Sequence, residues 1–352
     1  MAQVGGEPLV VCLGVPVFGE DSYQDRLRAI SPRVEPVVLD VDSAQDWVTA
    51  NPSEPHDEPP PWAEGCGDAR RRALERAEVM VALHTPKDLP SLAPRLRWIQ
   101  TVGAGLEQFA AAGVRRDRVV ITNASGLSAG SMAEFVVGRL LQFWKHFRQV
   151  DAYQQAHSFE RAYGRTFAGS TIGIVGLGSI GVAVAKLLKP FRVRVLGLRR
   201  SARPGDRHEF ADELYGIDAF HEMLAQCDAV VVAAPATNET RHMIDARALA
   251  VLPPHAFLVN VARGSLVDEA ALAAALREGR LAGAALDVFE EEPLPPESPL
   301  WDVPNLYASA HSSPSVDRYM DDIFDLFEAN LVRYVAGEPL ANQVDMETLG
   351  FA

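Results

Sequence analysis

The chain has 352 residues, 48% of them hydrophobic, enough to bury the cores of two ordinary domains and to exclude wholesale disorder. Its 33 Lys and Arg stand against 47 Asp and Glu, a formal charge of -14 that repels nucleic acid and anionic membranes and leaves small molecules as the expected partners. Cys12, Cys66 and Cys227 are too far apart for a zinc pair or a secreted disulfide framework, so they read as reduced, cytoplasmic thiols, and no metal is expected.

The first apolar run, 9–18, is preceded by no Lys or Arg and is interrupted by Gly14 and Pro16. It reads as a buried first strand, not as a secretory signal or a membrane span. Further apolar runs at 34–39, 79–83, 96–101 and 119–123 alternate with amphipathic stretches, the pattern of βα units around a parallel sheet. Segment 51–61, dense in Pro, Glu and Asp, reads as a surface loop. Over 132–147 the residues Phe135, Val136, Leu140, Leu141 and Phe143 recur at helical spacing, with Lys145, His146 and Arg148 at the end; this helix is the natural connector of two domains. A second alternating series follows, with strands expected at 171–175, 192–198, 229–234, 257–261 and 306–309. The last helix, 320–335, is expected to return to the first domain, because the second sheet is complete without it.

Gly176-Leu177-Gly178-Ser179-Ile180-Gly181 lies between the apolar run 171–175 and a helix whose inner face carries Ile180, Val184, Leu187 and Leu188. In that setting the first glycine permits the turn, the second lets the backbone approach a pyrophosphate and the third lets the helix pack on the strand. The helix N-terminus offers free N–H groups and the positive dipole end. These six residues are therefore candidate dinucleotide contacts. The next strand ends where an NAD site carries an acidic residue, but here Arg199, Arg200 and Ser201 follow. Two guanidinium groups and a hydroxyl suit a 2′-phosphate, so NADP(H) is the preferred cofactor. The alternative reading, a solvated strand end, leaves NAD(H) open.

Asn260-Val261-Ala262-Arg263-Gly264 closes a strand, Asp287-Val288-Phe289-Glu290-Glu291-Glu292-Pro293-Leu294 follows another, and His311 sits just beyond 306–309. Loops at the carboxyl ends of parallel strands line the ligand crevice of an open α/β sheet, so Arg263, Glu292 and His311 can converge there. With the glycine loop, with Val102-Gly103-Ala104-Gly105 and with residues 123–126, these segments resemble the D-2-hydroxyacid dehydrogenase family over most of the chain.

That resemblance implies two Rossmann-like, doubly wound α/β domains with parallel sheets. A cofactor domain, 129–314, would be inserted into a flavodoxin-like substrate domain made of 1–128 and 315–352, and the protein would be a homodimer. It implies reduction of a 2-keto acid to a D-2-hydroxy acid, and the reverse. His311 would give its proton to the carbonyl oxygen as hydride arrives, a task suited to imidazole at neutral pH. Glu292, which directly precedes Pro293, would orient the ring and favour its charged form, whereas Glu290 and Glu291 read as solvated. Arg263 would bind the substrate carboxylate through its planar fork, helped by backbone N–H groups of Val102, Gly103, Ala104 and Gly105. Asp287 matches the family residue near the nicotinamide carboxamide, and Pro235, Thr237, Val261 and Ala262 match cofactor-contacting positions.

The stretch Ala310-His311-Ser312-Ser313-Pro314 departs from the family, which often has Pro before the His and a small apolar residue plus Gly after it. Formate dehydrogenases carry Gln where this chain has Glu292. A dinucleotide-sensing, corepressor-like protein would keep the same trio without catalysis; the chain lacks the long interaction tail and basic face that would favour it, and turnover of any 2-keto acid separates the two.

Overall fold

The computed structural model describes residues 7–39, 68–83, 85, 89–103, 106, 109, 114, 118–203, 205–315 and 318–344. The acidic segment 51–61 lies outside the described residues, as do Ala104 and Gly105. The chain divides into two compact units, Met1–Leu127 with Val316–Ala352, and Ser128–Ser315. In sequence, the second interrupts the first.

The first unit is built on β1 (Leu9–Gly14), β2 (Val34–Val38), β3 (Val79–Ala82), β4 (Trp98–Thr101) and β5 (Val120–Thr122), all parallel, in the order β2-β1-β3-β4-β5. This is the flavodoxin-like order. Every residue of β1, β3 and β4 is buried, as expected for parallel strands covered on both faces. Alternate side chains serve two cores. Val10, Cys12, Met80 and Ile99 pack with Leu74 of α2 (Asp68–Arg76), and α1 (Asp21–Ile30) contributes Leu27 to the opposite core with Leu9, Val11, Leu13, Val81 and Trp98. The closing helix of the chain, Tyr319–Ala336, packs on that second face through Ile323, Phe324, Phe327 and Leu331. Its buried Asn330 donates to Gln100 Oε1 at 3.4 Å, and Ala341 N–H donates to Asn330 Oδ1 at 2.8 Å, so a polar side chain in the core is satisfied.

The second unit opens with α3 (Ala129–Trp144) and α4 (Phe147–Gln155), separated at His146, which has a left-handed φ of 53°. Its strands are β6 (Thr171–Val175), β7 (Arg194–Leu198), β8 (Glu213–Tyr215), β9 (Ala229–Val232), β10 (Phe257–Asn260), β11 (Gly283–Leu286) and β12 (Leu306–Ala308). All pair in parallel, in the order β12-β11-β10-β9-β6-β7-β8. Counted within the sheet this is 3-2-1-4-5-6 with a seventh strand added, the doubly wound Rossmann topology, and its switch point falls between β6 and β9. One face is covered by α3 through Met132, Ala133, Val136, Val137, Leu140 and Trp144, together with α5 (Ser179–Leu188). Phe143 stacks on Phe257 at 4.2 Å between ring centroids. The other face packs against α6 (Ala246–Val251) and α7 (Glu269–Arg277), the latter capped by Asp268, which accepts from Ala271 N–H at 2.9 Å.

Cys12 and Cys227 are free thiols, and burial pushes both up to about 12, which leaves them as inert packing groups. Among the described residues no helix is long and apolar enough to cross a membrane.

Candidate active site

The carboxyl ends of β6, β9, β10, β11 and β12 gather the candidate residues of the second unit. At β6 the glycine loop behaves as its spacing requires. Gly176 has φ +95°, and a Cβ there would lie 2.7 Å from the backbone of Ala234, in the segment that follows β9. A Cβ on Gly181 would meet Gly176 O at 1.9 Å, so only glycine lets α5 approach the strand this closely. A Cβ on Gly178, which caps the N-terminus of α5, would meet nothing within 4 Å. Open space in front of a helix N-terminus, at the switch point of the sheet, fits a dinucleotide pyrophosphate. Ser179 begins that helix.

Other expected contacts offer backbone and not side chain. Leu177 packs on β7, where a Cβ on Gly197 would meet its Cδ1 at 2.4 Å, and Ile180 packs against the core. Val261 and Ala262 are also buried. Pro235 and Thr237 lie in a tight turn beside the glycine loop: Thr240 Oγ1 donates to Pro235 O, and Thr237 N–H donates to Thr240 Oγ1, both at 2.8 Å.

At the end of β7, Arg199, Arg200 and Ser201 are exposed. The Arg199 backbone N–H donates to Tyr215 O at 3.0 Å, which ties the end of β7 to β8. Arg200 meets Glu239 at 3.5 Å with both side chains more than 70% exposed, a contact too wet to hold the guanidinium against a phosphate.

Arg263 follows β10. The buried Asn260 shapes its turn by donating to Arg263 O at 2.9 Å and accepting from Ala262 N–H at 3.0 Å. The next residue, Gly264, has no room for a side chain, since a Cβ would lie 1.8 Å from the carbonyl carbon of Phe289. The Arg263 turn therefore presses against the segment that carries Glu292. Arg263 itself donates to Ala262 O at 2.8 Å.

Phe289 N–H donates to Glu292 Oε1 at 2.8 Å, and Glu292 Oε2 faces His311 Nδ1 at 2.9 Å. The Glu292 side chain is 13% exposed and that of His311 33%, so the pair is partly withdrawn from water while the ring keeps an open edge. His311 adopts φ +47°, in the left-handed region. Its N–H donates to Asp287 O at 2.7 Å. The buried Asp287 carboxylate accepts from Ser309 Oγ at 2.7 Å, Ser312 N–H at 3.0 Å and Ser313 N–H at 2.9 Å. Glu290, expected to be solvated, is exposed but paired: its Oε1 lies 3.1 Å from His242 Nε2, and its N–H donates to Glu269 Oε1 at 2.7 Å. Glu269 is held above the usual carboxylate range by burial, opposed by that N–H and reinforced by the charges of Glu290, Glu292 and Glu291.

In the first unit, Val102 is buried and its carbonyl accepts from Tyr319 Oη at 2.7 Å. Gly103 N–H turns back to Thr101 Oγ1 at 3.3 Å, and Gly103 O accepts from Ala124 N–H at 3.0 Å.

Sequence reasoning assigned no role to Asn260, Gly264, Ser309 or Tyr319. The signal for the first two was present in Asn260-Val261-Ala262-Arg263-Gly264, where an Asn at the end of an apolar strand must find partners for a buried amide. Tyr319 carries no such signal, because its partner lies 217 residues away.

The family described as D-isomer specific 2-hydroxyacid dehydrogenase, NAD binding domain, matches residues 137–313. A glyoxylate reductase of Thermococcus gammatolerans is 34% identical over 266 residues, covering 73% of this chain and 78% of its own. The crystal structure of a D-isomer specific 2-hydroxyacid dehydrogenase family protein from Aeromonas salmonicida matches with TM-score 0.77 and 30% identity, covering 97% of this chain and 99% of that one. An NADPH-dependent glyoxylate/hydroxypyruvate reductase from Sinorhizobium meliloti, solved with NADP and sulfate, matches with TM-score 0.75 and 26% identity, covering 98% and 100%. The chain thus belongs to the D-isomer specific 2-hydroxyacid dehydrogenases, oxidoreductases with an NAD-binding domain.

Proposed function

We propose that the protein reduces a small 2-keto acid to the D-2-hydroxy acid with NADPH, and runs the reverse reaction, with NADH as a weaker alternative. The observation that carries this reading is the His311–Glu292 pair: Nδ1 is committed to the carboxylate at 2.9 Å, which leaves Nε2 as the proton-transferring atom. Glu292, fixed by the Phe289 N–H, orients the ring through its bond to Nδ1. Arg263 receives the substrate carboxylate and polarises the adjacent carbonyl. The segment Val102-Gly103-Ala104-Gly105 is the proposed further contact of the substrate carboxylate.

The dinucleotide, when bound, supplies the hydride. Gly176, Gly178 and Gly181 with the α5 N-terminus hold its pyrophosphate, and Pro235 and Thr237 line the neighbouring turn. Arg199, Arg200 and Ser201 receive the 2′-phosphate, a reading supported by their exposure and by the NADPH dependence of the Sinorhizobium relative. Glyoxylate and hydroxypyruvate are the first substrates to offer, because two of the relatives are named for them.

A homodimer formed through the second unit is supported by the exposed apolar side chains Phe147, Val150, Phe159 and Tyr163, clustered along one stretch of chain. A cytoplasmic location is supported by the two free, buried thiols.

The test follows NADPH and NADH absorbance with a panel of 2-keto acids, for the wild type and for His311→Ala. NADPH oxidation that disappears in His311→Ala is the expected outcome, with chiral analysis of the product showing the D acid. Dinucleotide binding with no turnover across the panel would refute the enzymatic reading and favour a sensing role.

A further inference from the structure

We infer that Asp287 is a positioning residue for His311, acting through the backbone of the loop that carries the imidazole. This rests on the reading of His311 as the proton donor. A histidine at φ +47° occupies a conformation that L side chains rarely adopt, so the surrounding structure must hold it there. Asp287 does so on both sides of the residue. Its carbonyl accepts from His311 N–H at 2.7 Å. Its carboxylate accepts from Ser309 Oγ at 2.7 Å before the histidine, and from Ser312 N–H at 3.0 Å and Ser313 N–H at 2.9 Å after it. Asp287 is in turn tied to β10, its own N–H donating to Asn260 O at 3.0 Å.

The chemistry demands a carboxylate. Three donors converge on two oxygens, and only an ionised Asp presents acceptors in every direction. An Asn would turn its NH2 toward at least one N–H or O–H donor, and the loop would have to retreat. Residue 287 is 1% exposed, and its carboxylate is turned to the His311 loop. Burial holds the Arg139 guanidinium on α3 below its usual range, and the Asp287 charge counteracts that effect, which makes Arg139 a nearby cation that compensates the buried anion. One segment thus fixes the histidine at two levels: Asp287 sets its backbone and Glu292 sets its ring. The resemblance places Asp287 beside the nicotinamide carboxamide, and the hydrogen bonds add a hold on the loop to that expectation.

The experiment compares Asp287→Asn, Ser309→Ala and Ser309→Thr with the wild type. It measures kcat and KM for glyoxylate, NADPH affinity by fluorescence, and hydrogen exchange of the peptide spanning 309–315. In Asp287→Asn, kcat falls about tenfold or more, as a displaced acid group requires. The 309–315 amides exchange faster. Ser309→Ala shifts kcat and exchange in the same direction by less, and Ser309→Thr restores both. Weakened NADPH binding with unchanged exchange would overturn the proposal and make Asp287 a cofactor ligand. If Asp287→Asn does not fold, the two Ser309 variants decide the matter alone. Wild-type inactivity would sink the reading of function, and exchange in the Ser309 variants would still decide whether the loop is held as described.

Discussion

Replacing Gly264 by Ala tests whether the Arg263 turn and the Glu292 segment are built as one unit. The added methyl would lie 1.8 Å from the Phe289 carbonyl carbon and 2.3 Å from Glu290 N, both backbone atoms that cannot rotate away. Ordinary contact begins near 3.4 Å, so the two segments must part by about 1.5 Å. Phe289 is the residue whose N–H fixes Glu292 Oε1, and Glu292 fixes His311, so the shift is transmitted to the imidazole and to Arg263 together. A misplacement of about 1 Å can cost a hundredfold in rate, or about 2.7 kcal/mol of barrier. The expected result is therefore a kcat/KM for glyoxylate lowered about a hundredfold, with NADPH affinity changed by less than about threefold because the glycine loop is untouched. Steady-state kinetics, cofactor fluorescence and a melting curve read the three quantities. A folded Gly264→Ala enzyme within about threefold of wild-type kcat/KM would refute the claim that this contact sets the geometry.

Arg199→Asp should move preference toward NADH by about tenfold or more, because it removes a phosphate donor and restores an acceptor for the ribose hydroxyls; the ratio of kcat/KM for the two cofactors measures it. Ser313→Ala should raise stability by about 1 kcal/mol, since the Ser313 hydroxyl is buried without a hydrogen-bond partner among the described residues, whereas its N–H bond to Asp287 survives the change; urea unfolding checks this. Asp212 resists the upward push of burial, because the Val195 N–H and Lys189 hold its carboxyl below the usual range. Its stabilising effect is thus present at neutral pH and lost as pH falls through the depressed folded-state value, so the Tm deficit of Asp212→Asn should shrink as the pH is lowered through and below the ordinary carboxylate range. For the proposed homodimer, Phe159→Ser with Tyr163→Ser should shift sedimentation toward the monomer, because both aromatic side chains are exposed.

The elements legible in the sequence are those with strong local signals. Runs of β-branched residues gave β1, β6, β9 and β10, and the 3.6-residue period gave α3 and the closing helix. β8 went unread because its three residues, Glu213-Leu214-Tyr215, form a half-exposed edge with no apolar run. β11 was implied only as the strand before Asp287. Its sequence, Gly-Ala-Ala-Leu, has weak strand propensity, and its small residues are required by tertiary contact: a Cβ on Gly283 would lie 3.1 Å from both Asn305 O and the Phe257 ring. The long helix ends at Trp144 and not at 147, because His146 turns left-handed and a second helix starts, a break that no Gly or Pro announces. At the candidate site, the residue types that carry chemistry were visible as motifs, but the hydrogen bonds that aim them were not. Those bonds join β10 to the segment after β11, and that segment to the loop after β12, pairings that only the order of the strands brings about.

This distribution explains why the departures around His311 leave the arrangement intact. Asp287 grips residues 312 and 313 through their backbone N–H groups, which any residue other than proline supplies. Serines can therefore stand where the family often has a small apolar residue and glycine. Pro314 comes one position after the last of these donors, where no N–H is demanded by Asp287. Ala310 precedes His311 without any bond to the carboxylate, so a Pro there is dispensable as long as Ser309 and Ser312 flank the turn. The tolerance is asymmetric. For the grip of Asp287, side-chain chemistry is free at 312 and limited at 313 only by burial, but it is constrained at 309, where the hydroxyl itself is the donor, and at 287, where a charge is needed to accept from all three. Loops that bind by backbone can drift in sequence while the residue that reads them cannot.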